Sequence, residues 1–170
     1  MQLEKKTVKH DWRYLLFLIG SHHPLDKLHR TIRLSFKGKR SYLCSRCTGT
    51  GLGIIGVFVA NTFGLGFPIE FYLPLISFLP LVAAIDWFTQ SAKLRESNNW
   101  IRVSSGFLLG ISEALFLLLI IKGFIFLFLA GLVIIFAYAC SIYLIAAKTK
   151  CLDFYVEEFN QIPNKFNASS

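Results

Sequence analysis

Past residue 48 the chain is almost continuously apolar, and short polar breaks divide that run into elements. The stretch 48–67 has roughly the length a helix needs to cross a bilayer core, and Gly64, Gly66 and Pro68 end it. A second stretch over 69–89 contains Pro74 and Pro80, each expected to kink a helix, and closes with Asp86, Trp87 and Gln90. The polar segment 91–102 follows. Third and fourth helices are predicted over 103–121 and 124–147, interrupted only by Lys122-Gly123. Read as one helix, that pair would exceed a single crossing about twofold. Four transmembrane helices are therefore expected.

Before residue 48 the pattern changes. Trp12, Leu15, Leu16 and Ile19 share one face of a helix too short to span, which suits the headgroup layer. Ile32, Leu34 and Phe36 then alternate with Arg33, Ser35 and Lys37, the period of a strand. Lys37-Gly38-Lys39 can turn it back, with Tyr42 and Leu43 on the return and Cys44 and Cys47 at its end. A small β-hairpin closed by a cysteine knuckle is predicted. Beyond the apolar run, Leu152, Tyr155, Val156 and Phe159 mark another short amphipathic helix. The expected fold class is an all-α integral membrane protein with a small N-terminal cap. It divides into a basic segment with a His/Cys cluster (1–48), a four-helix transmembrane domain (49–147) and an amphipathic tail (148–170).

Composition agrees, at 54% hydrophobic residues, and the charge adds an orientation. Residues 1–48 hold eleven Lys or Arg against three acids, while the remainder balances at seven of each sign. With four spans, seventeen of the eighteen Lys and Arg face one side and Lys122 alone faces the other. The positive-inside rule then places both termini in the cytosol, as a multi-pass protein of the cell membrane. Anionic headgroups suit the basic segment. It contains no recognition helix or aromatic stacking module for nucleic acid. The apolar run 14–20 is short for a signal peptide and leads into Ser21-His22-His23-Pro24 rather than a cleavage site, so the N-terminus is expected to stay.

Three sets of residues can carry chemistry. His23-x5-His29-x14-Cys44-x2-Cys47 offers four nitrogen and sulfur ligands, enough for a tetrahedral zinc site, with His22 as a substitute for His23. A redox-active thiol pair and an incidental structural pair are the open alternatives. Asp86 and Gln90 lie one turn apart on a helix, and Arg95, Glu96, Asn98, Asn99 and Arg102 complete a compact polar group. That group can bind phosphate, or it can be an internal network, Asp86 with Arg102 or Glu96 with Arg95, that only fixes the loop. Glu113 lies about 15 Å into the third helix, where an ionisable group is costly. It serves packing or relays protons. Gly106 and Gly110 are expected to share its face and turn it toward another helix, and Gly49, Gly53 and Gly56 form a similar small-residue face.

Leu43-Cys44-Ser45-Arg46-Cys47-Thr48-Gly49, Asp86-x3-Gln90, Leu94-Arg95-Glu96-Ser97-Asn98-Asn99-x2-Arg102 and Gly106-x3-Gly110 follow in order. In this the chain resembles the prokaryotic membrane proteins grouped as domain of unknown function 2085, over about 21–110. His29-Arg30 and Ser35-Phe36 fit that family's pattern. Leu28 stands in place of a cysteine, Ile32-Arg33-Leu34 in place of Pro-Glu-Arg, and Asn98 where threonine is favoured. The resemblance implies a polytopic membrane protein and supplies no activity. The first functional reading is a membrane module or accessory subunit with a polar, metal-holding cytosolic face. A second is an enzyme on a lipid-linked or isoprenoid phosphate, with arginines on the phosphate and Asp86 as base or metal ligand. A third is a small proton-coupled carrier using Glu113. Glycine faces also suit self-association or a partner membrane subunit.

Overall fold

The computed structural model describes residues 29–36, 39–92 and 94–148. The helices expected around Trp12 and Tyr155 lie outside them. The chain forms two compact units, Met1–Cys44 and Ser45–Ser170. In the first, strands β1 (Thr31–Phe36) and β2 (Lys39–Cys44) pair antiparallel from Thr31 opposite Cys44 to Phe36 opposite Lys39. The alternating segment is therefore a hairpin joined by two residues, and Lys39 belongs to the returning strand.

The second unit is helical: α1 (Ser45–Thr62), a 3-10 turn (Ile69–Phe71), α2 (Tyr72–Ser91), α3 (Asn99–Ile121) and α4 (Ile125–Lys148). Among the described residues three segments are long and apolar enough to cross a membrane: Ile69–Gln90, Asn99–Ile121 and Ile125–Lys148. α1 is not among them, because its first turn is polar and it spends four positions on glycine.

Caps set the boundaries. Gly64, at φ 74°, closes α1 by donating its N–H to the Asn61 carbonyl (3.2 Å) while Leu65 donates to Ala60 (2.9 Å). The helix predicted over 48–67 thus ends at Thr62, and it starts at Ser45. Cys47 consequently sits in the first turn of α1 rather than in a knuckle after the hairpin. The same motif recurs at Gly123 (φ 76°), with Gly123 N–H on Ile120 (3.0 Å) and Phe124 N–H on Leu119 (2.8 Å). It splits the long apolar run into α3 and α4. Asn98 caps α3 by accepting from the Ile101 N–H (2.9 Å), so α3 begins four residues before the predicted start at 103.

The two prolines of α2 behave differently. Pro74 occupies the first turn, where no N–H is required, so the expected kink has no cause there. Pro80 is interior and withdraws the donor that the Ile76 carbonyl would otherwise receive. Ser112 of α3 supplies a replacement, its Oγ donating to Ile76 O at 3.3 Å.

α1 and α3 run parallel with their backbones in contact. A Cβ on Gly49 or Gly53 would overlap the carbonyl oxygens of Val103 and Phe107, and one on Gly106 or Gly110 would overlap those of Arg46 and Thr50. Two small-x3-small pairs thus interlock reciprocally, the arrangement that brings apolar helices closest in a bilayer. Gly56, expected on this face, points into open space. α2 runs antiparallel to α3, with Gln90 near Arg102 at one end and Tyr72 on Lys122 (3.1 Å) at the other. Val57, Tyr72, Ile76, Ala114, Leu115, Leu118 and Leu119 form the apolar core in the half toward Tyr72. α4 packs less deeply: its described buried residues are Gly131, which lies against the Phe116 ring, and Ala146.

Gly106→Ala should force α1 and α3 apart and cost about 1–3 kcal/mol, as overpacking does. Gly56→Ala should be neutral or stabilising by up to about 1 kcal/mol, since alanine favours helix and meets nothing there. Thermal unfolding of the two variants in detergent, followed by tryptophan fluorescence, separates them.

Candidate functional site

At the end of the bundle where α1 and α3 begin and α2 finishes, polar side chains gather on one carboxylate. Asp86 lies on the last turns of α2 and is 2% exposed. Gln90, one turn later, donates from Nε2 to both Asp86 Oδ2 and the Asp86 carbonyl, each at 2.8 Å. Arg46, in the first turn of α1, pairs through Nη2 with Oδ2. Arg95, on the loop after α2, pairs through Nη2 with Oδ1 at 3.0 Å and donates from Nε to Thr89 Oγ1 at 3.2 Å. Arg102, 4% exposed in the first turn of α3, is tied to the carboxylate through Gln90: its Nη2 donates to Gln90 Oε1 at 2.5 Å and its Nε to the Ser97 carbonyl at 3.2 Å. Ser45 Oγ adds a second tie between α1 and α3, donating to Asn99 Oδ1 at 3.0 Å.

The cluster links all three helices. Burying a carboxylate is expensive, and two guanidiniums plus an amide offset that cost with charge-assisted hydrogen bonds. They also leave Asp86 with both oxygens engaged. Positive charge remains in excess, three guanidiniums to one carboxylate, and Arg95 is the accessible one at 42%. The Nε of Arg46 is buried without a hydrogen-bond partner.

Of the predicted residues, Asp86, Gln90, Arg95 and Arg102 form one network, Asn99 accepts separately from Ser45, and Glu96 is exposed on the loop. Arg46 is the site residue that sequence reasoning passed over. Its signal was present: Arg46, Gly49 and Gly53 fall at i, i+3 and i+7, a shared face that disappears when the helix is started at Thr48.

Gly106 and Gly110 lie against α1, while Glu113, farther along α3, lines a cavity of about 550 Å³ among α2, α3 and α4. Arg46 borders the same cavity. Of the zinc candidates, His23, with its substitute His22, lies outside the described residues. His29 is exposed, Cys44 ends β2 and Cys47 is exposed on α1. Among the described residues no three His, Cys, Asp or Glu side chains gather to hold a metal ion.

Apolar helices locked by reciprocal glycines, with a charge cluster at one end, define a polytopic helical membrane protein. The chain belongs to the family of predicted membrane proteins DUF2085, whose model matches residues 27–116. An uncharacterized protein of Methanothermobacter thermautotrophicus is 38% identical over 85 residues, 47% of this chain and 72% of that relative. No solved structure matches the chain.

Asp86→Asn should cost about 3–5 kcal/mol by leaving Arg46 and Arg95 without their counter-charge. Arg46→Gln should cost less, because Arg95 and Gln90 still serve the carboxylate. The double variant should cost less than the two added, by about 1–3 kcal/mol. Denaturant unfolding monitored at Trp87, the residue after Asp86, measures the coupling; additive costs would mean that the pair does not act together.

Proposed function

We propose that this protein is a four-span, non-enzymatic membrane module that holds anionic lipid headgroups at a cytosolic face clasped by Asp86. The observation that carries the reading is the occupancy of Asp86: Arg95 takes Oδ1, and Arg46 and Gln90 take Oδ2. Three of the about four acceptor sites of this carboxylate are taken and it is 2% exposed, which disfavours its use as a base or metal ligand on a lipid phosphate.

The order of the helices supports α1 as a fourth span. α1 and α3 are parallel with their N-terminal ends together, and α2, between them in the chain, runs antiparallel to α3. If α2 and α3 cross, the chain must first reach the far end, and α1 provides that path. Its 18 residues extend about 27 Å against a hydrocarbon core of about 30 Å. Charge supports the orientation. The basic residues before 45, in the α2–α3 loop and after 147 then share the cytosolic side, and Lys122 alone lies opposite. Reporter fusions check this: a fluorescent protein joined after Lys148 should fluoresce, and a periplasm-dependent phosphatase should be active only when joined after Lys122.

Headgroup binding rests on the surplus of guanidinium, with Arg95 as the accessible member. In protein purified in mild detergent, native mass spectrometry should find phosphatidylglycerol retained over phosphatidylcholine. Arg95→Gln should lower that preference roughly fivefold, about 1 kcal/mol for one basic group near the headgroups. Phosphate release from an isoprenyl diphosphate by the wild type, lost in Asp86→Asn, would instead establish the enzymatic reading.

A further inference from the structure

Asp86 does not line the cavity among α2, α3 and α4, although its partner Arg46 does, and the polar groups of the wall are unequally satisfied. Ser112 donates to Ile76 O, Tyr138 donates its hydroxyl to Ser77 O, and Arg46 is paired with Asp86. Glu113 is the exception: it has no hydrogen-bond or ion-pair partner among the described residues. The remaining wall is apolar and aromatic, with Trp87, Phe116 and Tyr138 contributing ring surface. Leu117, Ile135 and Ile142 line the cavity and are also exposed on the lipid-facing side, so its mouth is open to the bilayer. At about 550 Å³ it falls within the range of small-molecule sites.

Charge selects the ligand. Three ionisable groups border the space: Tyr138, a neutral phenol that donates to Ser77 O, Arg46, whose charge Asp86 offsets, and Glu113, which has no counter-ion among the described residues. The cavity therefore favours cations over anions. An unpaired carboxylate in hydrocarbon is costly, and the partner that costs least to bring there is a cation already wrapped in apolar groups. Aromatic faces add attraction for the same charge.

We propose that the cavity among α2, α3 and α4 is a binding site for lipophilic organic cations, entered from the bilayer and anchored by Glu113. This assignment is independent of headgroup binding at Arg95, and the two fail separately.

Tetraphenylphosphonium and tetraphenylborate test it, because they share shape and hydrophobicity and differ in the sign of the charge. Binding of each to the full chain in lipid nanodiscs is measured by equilibrium dialysis, with partition into empty nanodiscs subtracted. The expected result is saturable phosphonium binding at about one per chain and roughly tenfold weaker binding of the borate. Glu113→Gln should weaken the phosphonium roughly tenfold with an unchanged melting temperature, and Glu113→Asp should restore most of it. Equal binding of both ions, a Glu113→Gln loss under about threefold, or no saturable component overturns the assignment.

Discussion

The contact between the backbones of α1 and α3 governs the rest of the bundle. In hydrocarbon the hydrophobic effect does not draw apolar helices together, so association rests on packing and on what little polar bonding the helices share. Glycine at 49, 53, 106 and 110 lets each helix place its backbone against the carbonyls of the other. Such contact admits no sliding, because every knob and every hole is backbone. The relative height of the two helices is thereby fixed, and Arg46 is held at the level of Asp86.

The charge cluster then completes what the glycines begin. Arg46 comes from α1, Asp86 and Gln90 from α2, Arg95 from the loop and Arg102 from α3, so the network closes only when all three helices are in register. A buried ion pair adds modest net stability and penalises wrong arrangements heavily, since any slip leaves charges unpaired. The opposite half of the bundle is held by the apolar core around Tyr72 and Leu118. α4 is bound by less, chiefly Tyr138 on Ser77 and the Phe116–Phe128 ring contact at 4.8 Å. A cavity opens beside the helix with the fewest anchors, and Glu113 is the unpaired group in its wall.

Much of this was visible in the pattern of residues. Apolar runs announced the helices because each must bury or face lipid along its length, and the alternation from Ile32 announced the hairpin. The convergence of Asp86, Gln90, Arg95 and Arg102 was legible from their spacing around one short loop. Boundaries were less so. The turns at Gly64 and Gly123 and the cap at Asn98 move helix ends by several residues, and each depends on hydrogen bonds to particular carbonyls that composition does not report. One such shift, at the start of α1, hid Arg46 from the site.

The chain alone thus dictated which segments are helical and apolar, where the positive charge concentrates, and that small residues recur at helical spacing on two helices. These are local properties, set by side-chain chemistry and the periods of helix and strand. Which glycine face meets which was decided only in three dimensions, because 49 and 53 pair with 103 and 107 through contacts between backbones far apart in the chain. That choice brings Arg46 to Asp86 and Arg102 to Gln90, and sets Glu113 in the cavity wall. Each outcome depends on the mutual height and rotation of helices, which no single segment encodes.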